Sequence, residues 1–190
     1  RLIEVLGKPS TPRIEDRLAG LGVSILEGSH GEVNLAMEDW TDRLVETLQR
    51  GFILTIDYGN LAQDLYSSEY VHGTLVCFNR HVSNSDPYQH IGQQDITAQV
   101  DFTSLVRLGE RRGLIPVGYT LQRHFLLNLG FASCLEVLQA QGLSYARTEL
   151  RRVAMMALID PEQMGDFKVL AQAKGVESGI DLLGFKGQVT

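Results

Sequence analysis

The chain holds only two cysteines in 190 residues, Cys77 and Cys134. They lie far apart, each in apolar surroundings. Both read as small core residues in a reducing compartment, with no disulfide framework and no thiolate metal centre expected. Basic charge is also short. The 17 Lys and Arg stand against 23 Asp and Glu, a net charge of −6, which argues against a phosphate-binding surface and against nucleic acid as a partner. The longest apolar runs fall well below the ~20 residues of a membrane helix. No stretch has the basic, apolar, small-residue order of a secretory leader. There is no internal repeat and no low-complexity tract. The chain has no G-x-x-x-x-G-K-[ST] loop and no G-x-S-x-G elbow, which disfavours P-loop nucleotide enzymes and α/β-hydrolases. Its G-x-G, Gly20-Leu21-Gly22, ends a helical pattern instead of following a strand, so it is no dinucleotide loop. His72, His81, His90 and His124 lack ligand spacing, so metal binding is not expected.

What is present is an ordinary globular composition, 44% hydrophobic and 21% charged, in a chain long enough for a single domain with a real core. Leu2 to Leu6 reads as a strand already under way at Arg1, with no initiator Met, so the chain is expected to be a fragment of something longer. Thr11 and Pro12 start a helix that ends near Gly20–Gly22. A loop over Gly28–Gly31 and the triplet Glu32-Val33-Asn34 lead into a helix with Met37, Trp40, Leu44 and Leu48 at helical spacing, closed by Gly51. Residues 52–57 show no alternation, as in a strand covered on both faces of a parallel sheet. A polar connection over 60–72 and a strand over Thr74–Phe78 follow. Residues 79–99 form a long stretch without strong periodicity, the kind that is functional or disordered. Asp101 caps a helix that ends at Gly113. Ile115, Val117 and Tyr119 alternate as a strand. Two amphipathic helices, about 122–140 and 145–158, are expected to bury Phe125, Leu126, Leu129 and Leu138, then Leu150, Val153, Ala154, Ala157 and Leu158. Phe167–Ala173 is a last strand, with antiparallel return favoured, and Asp181–Phe185 tucks back onto the surface.

Four places can carry chemistry. Asp57 and Tyr58 end the 52–57 strand, where open parallel sheets bind ligands. The competing reading is a polar turn, with Asp57 bonded to nearby N–H groups and Gly59 at positive φ. Arg80 and His81 follow another strand end; His81 is a candidate base or donor, or else a solvated or structural histidine. The run Gly92–Phe102 concentrates hydrogen-bonding groups before a helix N-terminus. There Asp101 suits the cap, and Asp95 and Thr97 are the better site candidates. If a strand precedes Glu32, that carboxylate shares a rim with Asp57, and two acids on one cleft suit a guanidinium. Otherwise Glu32 is a surface residue beside Asn34, the helix cap.

The segments GFILTIDYG (51–59), GTLVCFNRH (73–81), GQQDITAQVDFTSL (92–105), Tyr119-Thr120-Leu121-Gln122 with FLLNLG (125–130), and MGDFKVLAQAKG (164–175) occur in one order. Together they resemble the C-terminal half of the MidA-type methyltransferases, whose mitochondrial members are complex I assembly factors that dimethylate an arginine. The resemblance implies the C-terminal part of a class I, Rossmann-like α/β fold that uses S-adenosylmethionine (SAM). It implies a mixed sheet with an antiparallel last strand, residues 52–57, 115–120 and 167–173 as the last three strands, and 122–158 as an inserted helical pair.

It also implies that the main SAM-binding strands, with their acidic residue and Gly-rich loop, are missing from residues 1–190. This piece alone is then expected neither to bind SAM tightly nor to turn over. On that template Glu32, Asp57, Tyr58 and His81 serve an arginine acceptor, and Asn34, Arg80, Asp95, Thr97 and Gln122 hold the substrate or brace the site. The implied partner is a protein substrate, a respiratory complex I-type subunit among the candidates. A half-sheet with an open edge also invites pairing, a second copy included. The implied setting is the bacterial cytoplasm, or the mitochondrial matrix in a eukaryote. The rival from another class is a noncatalytic methyltransferase-like interaction or assembly module, since a fold does not guarantee activity.

Overall fold

A computed structural model describes residues 2–80, 82–177 and 179–187. The chain divides into two compact units, one of residues 1–41 and 59–107, the other of 42–58 and 108–190.

The first unit opens with residues 2–6 as exposed, irregular chain, not the expected strand. A run of apolar residues does not make a strand without a neighbour to complete the ladder, and no strand among the described residues pairs with this one. Helix α1 (Arg13–Leu21) starts at Pro12 and stops at Gly22, whose φ of 69° is the left-handed turn that ends helices. No strand precedes Glu32; residue 30 makes only an isolated bridge to His72. Asn34 then accepts from the Met37 N–H at 3.2 Å and starts α2 (Met37–Thr47), as expected of the cap.

After β1 (Gly51–Asp57), which belongs to the second unit, β2 (Gly59–Asn60) leads into the short helix α3 (Ala62–Leu65) and a 3-10 turn at Ser68–Tyr70. The segment from 79 to 99 is irregular over 85–94, as expected, but holds short strands on either side. Strands β3 (Val76–Asn79), β4 (Val82–Asn84) and β5 (Asp95–Thr97) form a small antiparallel sheet in the order β4-β3-β5. Three-residue strands are too short to show a period, which is why the sequence reads as loop. β6 (Val100–Asp101) pairs in parallel with β2. This pairing, not a positive φ, is what demands glycine at 59: a Cβ there would stand 2.2 Å from the Val100 carbonyl oxygen. Asp101 caps α4 (Phe102–Glu110) through the Ser104 N–H (3.0 Å), and Phe102 and Leu105 are buried.

The second unit is built on one sheet in the order β1-β8-β7. β7 (Ile115–Leu121) and β1 run the same way, and β8 (Lys168–Lys174) lies antiparallel to both. β8 is buried along its length, as a central strand should be. β1 instead alternates, leaving Phe52, Leu54 and Ile56 exposed, so the expectation of cover on both faces fails for this chain. Gly51 opens β1 with φ 139° instead of closing α2.

The expected 122–140 helix is two, α5 (Gln122–Asn128) and α6 (Phe131–Ala140), broken at Gly130 with φ 91°. α7 (Tyr145–Ala157) follows. Phe131 and Leu138 are buried, but Leu129, Leu150 and Val153 are exposed, against expectation. Cys134 on α6 is exposed too, while Cys77 is fully buried. The tail does fold back: Phe185 packs on Val169 and Ala171 and meets Phe125 edge-on at 5.1 Å. A Cβ at Gly118 would collide with the Phe185 ring, so that close approach needs glycine.

Candidate functional site

The first unit contains a cleft of about 290 Å³ whose walls include Arg17, Glu32, Asn34, Tyr66, Gln99 and Asp101. Three sequence segments meet there through one hydroxyl. The Gln99 N–H donates to Thr74 Oγ1 at 3.0 Å, and Thr74 Oγ1 donates to Glu32 Oε2 at 2.8 Å. The Thr74 N–H donates to the same carboxylate oxygen at 2.9 Å. Glu32 is thus fixed through one oxygen, and Oε1 accepts from no group among the described residues. Gly73 makes room for it, since a Cβ there would lie 2.4 Å from Oε1. A carboxylate with one oxygen tethered and one open can accept a charge-assisted hydrogen bond from a cation without first being ordered.

Tyr66 lies behind it and donates to the Glu32 backbone carbonyl at 3.1 Å. Burial first, then the negative charges of Asp101 and Glu32, push its phenol up to about 12, so it stays a neutral donor at physiological pH. Asp101 has both oxygens engaged by Ser104, at 3.0 and 2.6 Å, so it lines the cleft while serving as a cap. Arg17 is bound to Glu38 at 2.6 Å, and Arg13 grips the other Glu38 oxygen at 2.5 Å. The two guanidiniums hold the Glu38 carboxyl below its ordinary range. Asn60 donates to Gln99 Oε1 at 2.9 Å and to the Tyr70 hydroxyl at 3.3 Å, which braces the cleft wall.

The expected site residues fall in different places. Glu32 and Asn34 line this cleft. Asp95 and Thr97 do not; they sit on β5 in the small sheet, where Thr97 Oγ1 donates to the Val76 carbonyl at 2.9 Å. Arg80 is exposed at the tip of the β3–β4 hairpin with φ 49°, a conformation such a tight turn imposes. His81 lies outside the described residues. Asp57 and Tyr58 belong to the second unit. Asp57 Oδ1 accepts from the Tyr58 N–H at 2.8 Å, and Tyr58 packs against Phe167, ring centroids 5.8 Å apart. Gln122 is buried and its side-chain amide donates to the Leu158 carbonyl at 2.8 Å, which ties the helical insert to the end of β7. Sequence reasoning missed Thr74, Tyr66 and Arg17, and within the run 92–102 it preferred Asp95 and Thr97 to Gln99, which lines the cleft. Each is an unremarkable residue until the fold brings its segment to Glu32.

A mixed α/β chain whose last strand runs antiparallel between two co-directional strands, with helices inserted before it, fits a class I methyltransferase fold. Residues 1–120 match a family described as "putative S-adenosyl-L-methionine-dependent methyltransferase", and the chain belongs to that family. It is 33% identical over 149 residues to the mitochondrial protein arginine methyltransferase NDUFAF7 homolog of Drosophila melanogaster, covering 76% of this chain and 32% of that protein. Two solved structures from Burkholderia thailandensis share the fold. One, of an uncharacterised superfamily protein, is 30% identical with a TM-score of 0.81 and covers 96% of this chain and 48% of that one. The other, solved with S-adenosyl-homocysteine bound, is 32% identical with a TM-score of 0.78, covering 94% and 45%. The chain therefore spans about half the length of the solved relatives and a third of the curated one.

Proposed function

We propose that the whole protein is a SAM-dependent protein methyltransferase directed at arginine, and that this chain supplies the acceptor side of its site. The observation that carries the reading is Glu32: a carboxylate at a cleft, tethered through Thr74, with one oxygen open. Family membership supports the reaction class, and the name of the Drosophila relative supports arginine and a protein substrate. A complex I-type subunit as substrate, and a bacterial cytoplasmic or mitochondrial setting, belong to the same proposal.

We assign SAM to residues outside this chain. No Gly-rich strand-to-helix loop occurs in its sequence. When bound, that cofactor supplies an electrophilic methyl group. The work of this chain is to orient the acceptor and withdraw its proton. In the proposal Glu32 Oε1 accepts from the guanidinium, fixing its plane and stabilising charge as a proton leaves. Tyr66, kept neutral, holds the Glu32 backbone. Asp57, Tyr58 and His81 are proposed as further acceptor-side groups, each to be tested by itself.

The test is methyl transfer from labelled SAM by the full-length protein. Glu32→Gln is expected to lower transfer about 100-fold, a typical loss for one catalytic hydrogen-bonding or proton-transfer group. SAM affinity should stay unchanged, and the melting temperature should fall only by the few degrees that weaker bonds to Thr74 allow. Asp57→Asn is expected to impair transfer with the fold intact. Unaltered turnover in the Glu32 variant overturns its assignment. Tight SAM binding by the 190-residue chain in calorimetry overturns the assignment of the cofactor to other residues. A full-length protein that binds SAM yet transfers to no arginine removes the arginine reading.

A further inference from the structure

The whole net charge of the chain sits in one unit. The first unit holds 12 acidic and 6 basic residues and the second 11 and 11, which together make the 23 and 17 of the chain. Within the acidic unit, one face of the sheet β4-β3-β5 holds the fully buried Cys77 at its centre, with Ile96 and Val82 exposed at its edges. Directly paired residues of antiparallel strands project to the same side. The pairs Val76–Thr97, Phe78–Asp95 and Phe78–Ser83 therefore put Val76, Phe78, Ser83, Asp95 and Thr97 together on the other face. There Phe78 is 42% and Val76 37% exposed. Asp95 is exposed and makes no hydrogen bond or ion pair among the described residues.

An exposed aromatic ring with a free carboxylate directly across the strand is a seat for a side-chain cation. The ring face attracts the guanidinium or ammonium, and the carboxylate pairs with it. The face is also joined to the cleft along the chain: β5 (Asp95–Thr97) is followed directly by residues 98–101, which line the cleft that holds Glu32. We propose that this face docks a basic segment of the protein substrate, an arginine or lysine of the segment stacking on Phe78 and pairing with Asp95. The proposal rests on the protein-methyltransferase reading and adds to it a docking surface and the charge of its partner.

The test is fluorescence anisotropy of the full-length protein with a labelled arginine-rich peptide, and with the same peptide carrying glutamate in place of arginine. The arginine peptide should bind, more weakly as salt rises, and the glutamate peptide should not. Phe78→Ser and Asp95→Asn should each weaken binding about two- to fivefold, the range for an exposed cation–π contact or ion pair. The double variant should weaken it about tenfold. Asp95 is exposed, so its variant should not move the thermal melt; Phe78 is more than half buried, so binding by its variant is read well below that variant's own melting temperature. No binding by the arginine peptide, or equal binding by all variants, overturns the proposal. So does a dimer, seen by sedimentation, that Phe78→Ser dissociates while peptide binding stays constant, because the face is then an interface between copies. Methyl transfer is scored separately. Peptide binding that depends on Phe78 and Asp95 in a protein without transfer activity upholds the docking face and removes the enzyme reading. Transfer with binding indifferent to both residues does the reverse.

Discussion

The two units are held together by different means. In the second, one strand, β8, is buried on both faces, and Val169, Ala171 and Phe185 pack against it with Phe125. Stability there comes from apolar area. The first also buries Leu21, Met37, Ala62, Leu65, Phe102 and Leu105, but its strands are two to four residues long and it adds polar bridges: Thr74 to Glu32, Asn60 to Gln99, Arg13 and Arg17 to Glu38. A core of apolar contacts tolerates salt and pH. A polar network does not, but it can place a carboxylate where a reaction needs one. The unit that carries the cleft is the one whose site geometry depends on charge.

The sharpest way to break this contrast is to attack each unit where it is strongest. Phe185→Ala removes a buried ring that touches Phe125 and the backbone at Gly118. It should cost about 3–5 kcal/mol, read as a shift of the urea midpoint at constant slope. A loss below ~1 kcal/mol would mean that the tail is not part of the core. The matching change in the first unit is Gly73→Ala. Its φ of 76° and the 2.4 Å approach to Glu32 Oε1 leave no room for a methyl group. The cost should be about 1–3 kcal/mol from strain and displacement. Transfer activity should fall with it, because the carboxylate moves. Equal stability with full activity would show that Glu32 needs no tether.

How much of this could be read beforehand follows the same division. The strands of the second unit were legible: residues 52–57 and 115–120 fall within seven-residue strands, 167–173 overlaps a third, and the antiparallel last strand and folded-back tail were as expected. Long apolar segments mark a strand even where, as in 52–57, they do not show which face is covered. The first unit was legible at its helices and caps, Gly22, Asn34 and Asp101, and in the strand read over 74–78, which overlaps β3 (Val76–Asn79). Its partners β4 and β5 were invisible because three residues cannot display alternation. Glu32 was found for a reason that does not hold, a preceding strand that is absent. What places it is Thr74, 42 residues away, and no local pattern predicts such a bridge. The exposed Leu150 and Val153 were misjudged because amphipathic spacing shows that a helix has an apolar face, not what covers it.

Tyr66 offers a smaller effect with a defined pH window. Its folded value, about 12, lies above the ordinary 10. Stability from the neutral phenol is therefore complete below pH 10 and is lost as pH rises from 10 towards 12. Tyr66→Phe should cost ~1 kcal/mol at neutral pH, for the hydrogen bond to the Glu32 carbonyl. It should also flatten the alkaline decline of the melting temperature above pH 10. If the decline is as steep in the variant, another group causes it, and the phenol is not held neutral by its surroundings.

The smallest effect is the most specific to the polar unit. Glu38 receives Arg13 and Arg17, and its pKa is lowered from the ordinary carboxylate value of 4.5, through the Arg13 hydrogen bond first. A depressed carboxyl contributes stability that is present above pH 4.5 and is lost as pH falls below it. The group is largely exposed, so solvent and salt screen the pair, and Glu38→Gln should cost less than ~1 kcal/mol at pH 7. The difference between wild type and variant should shrink in high salt and vanish at low pH. Asp42, lowered by Arg112 in the second unit, obeys the same sign, but there the sheet core carries the stability. Asp42→Asn should therefore change acid unfolding less than Glu38→Gln does. Equal shifts in the two variants would mean that both units rely on charge alike, and the contrast between them would fall.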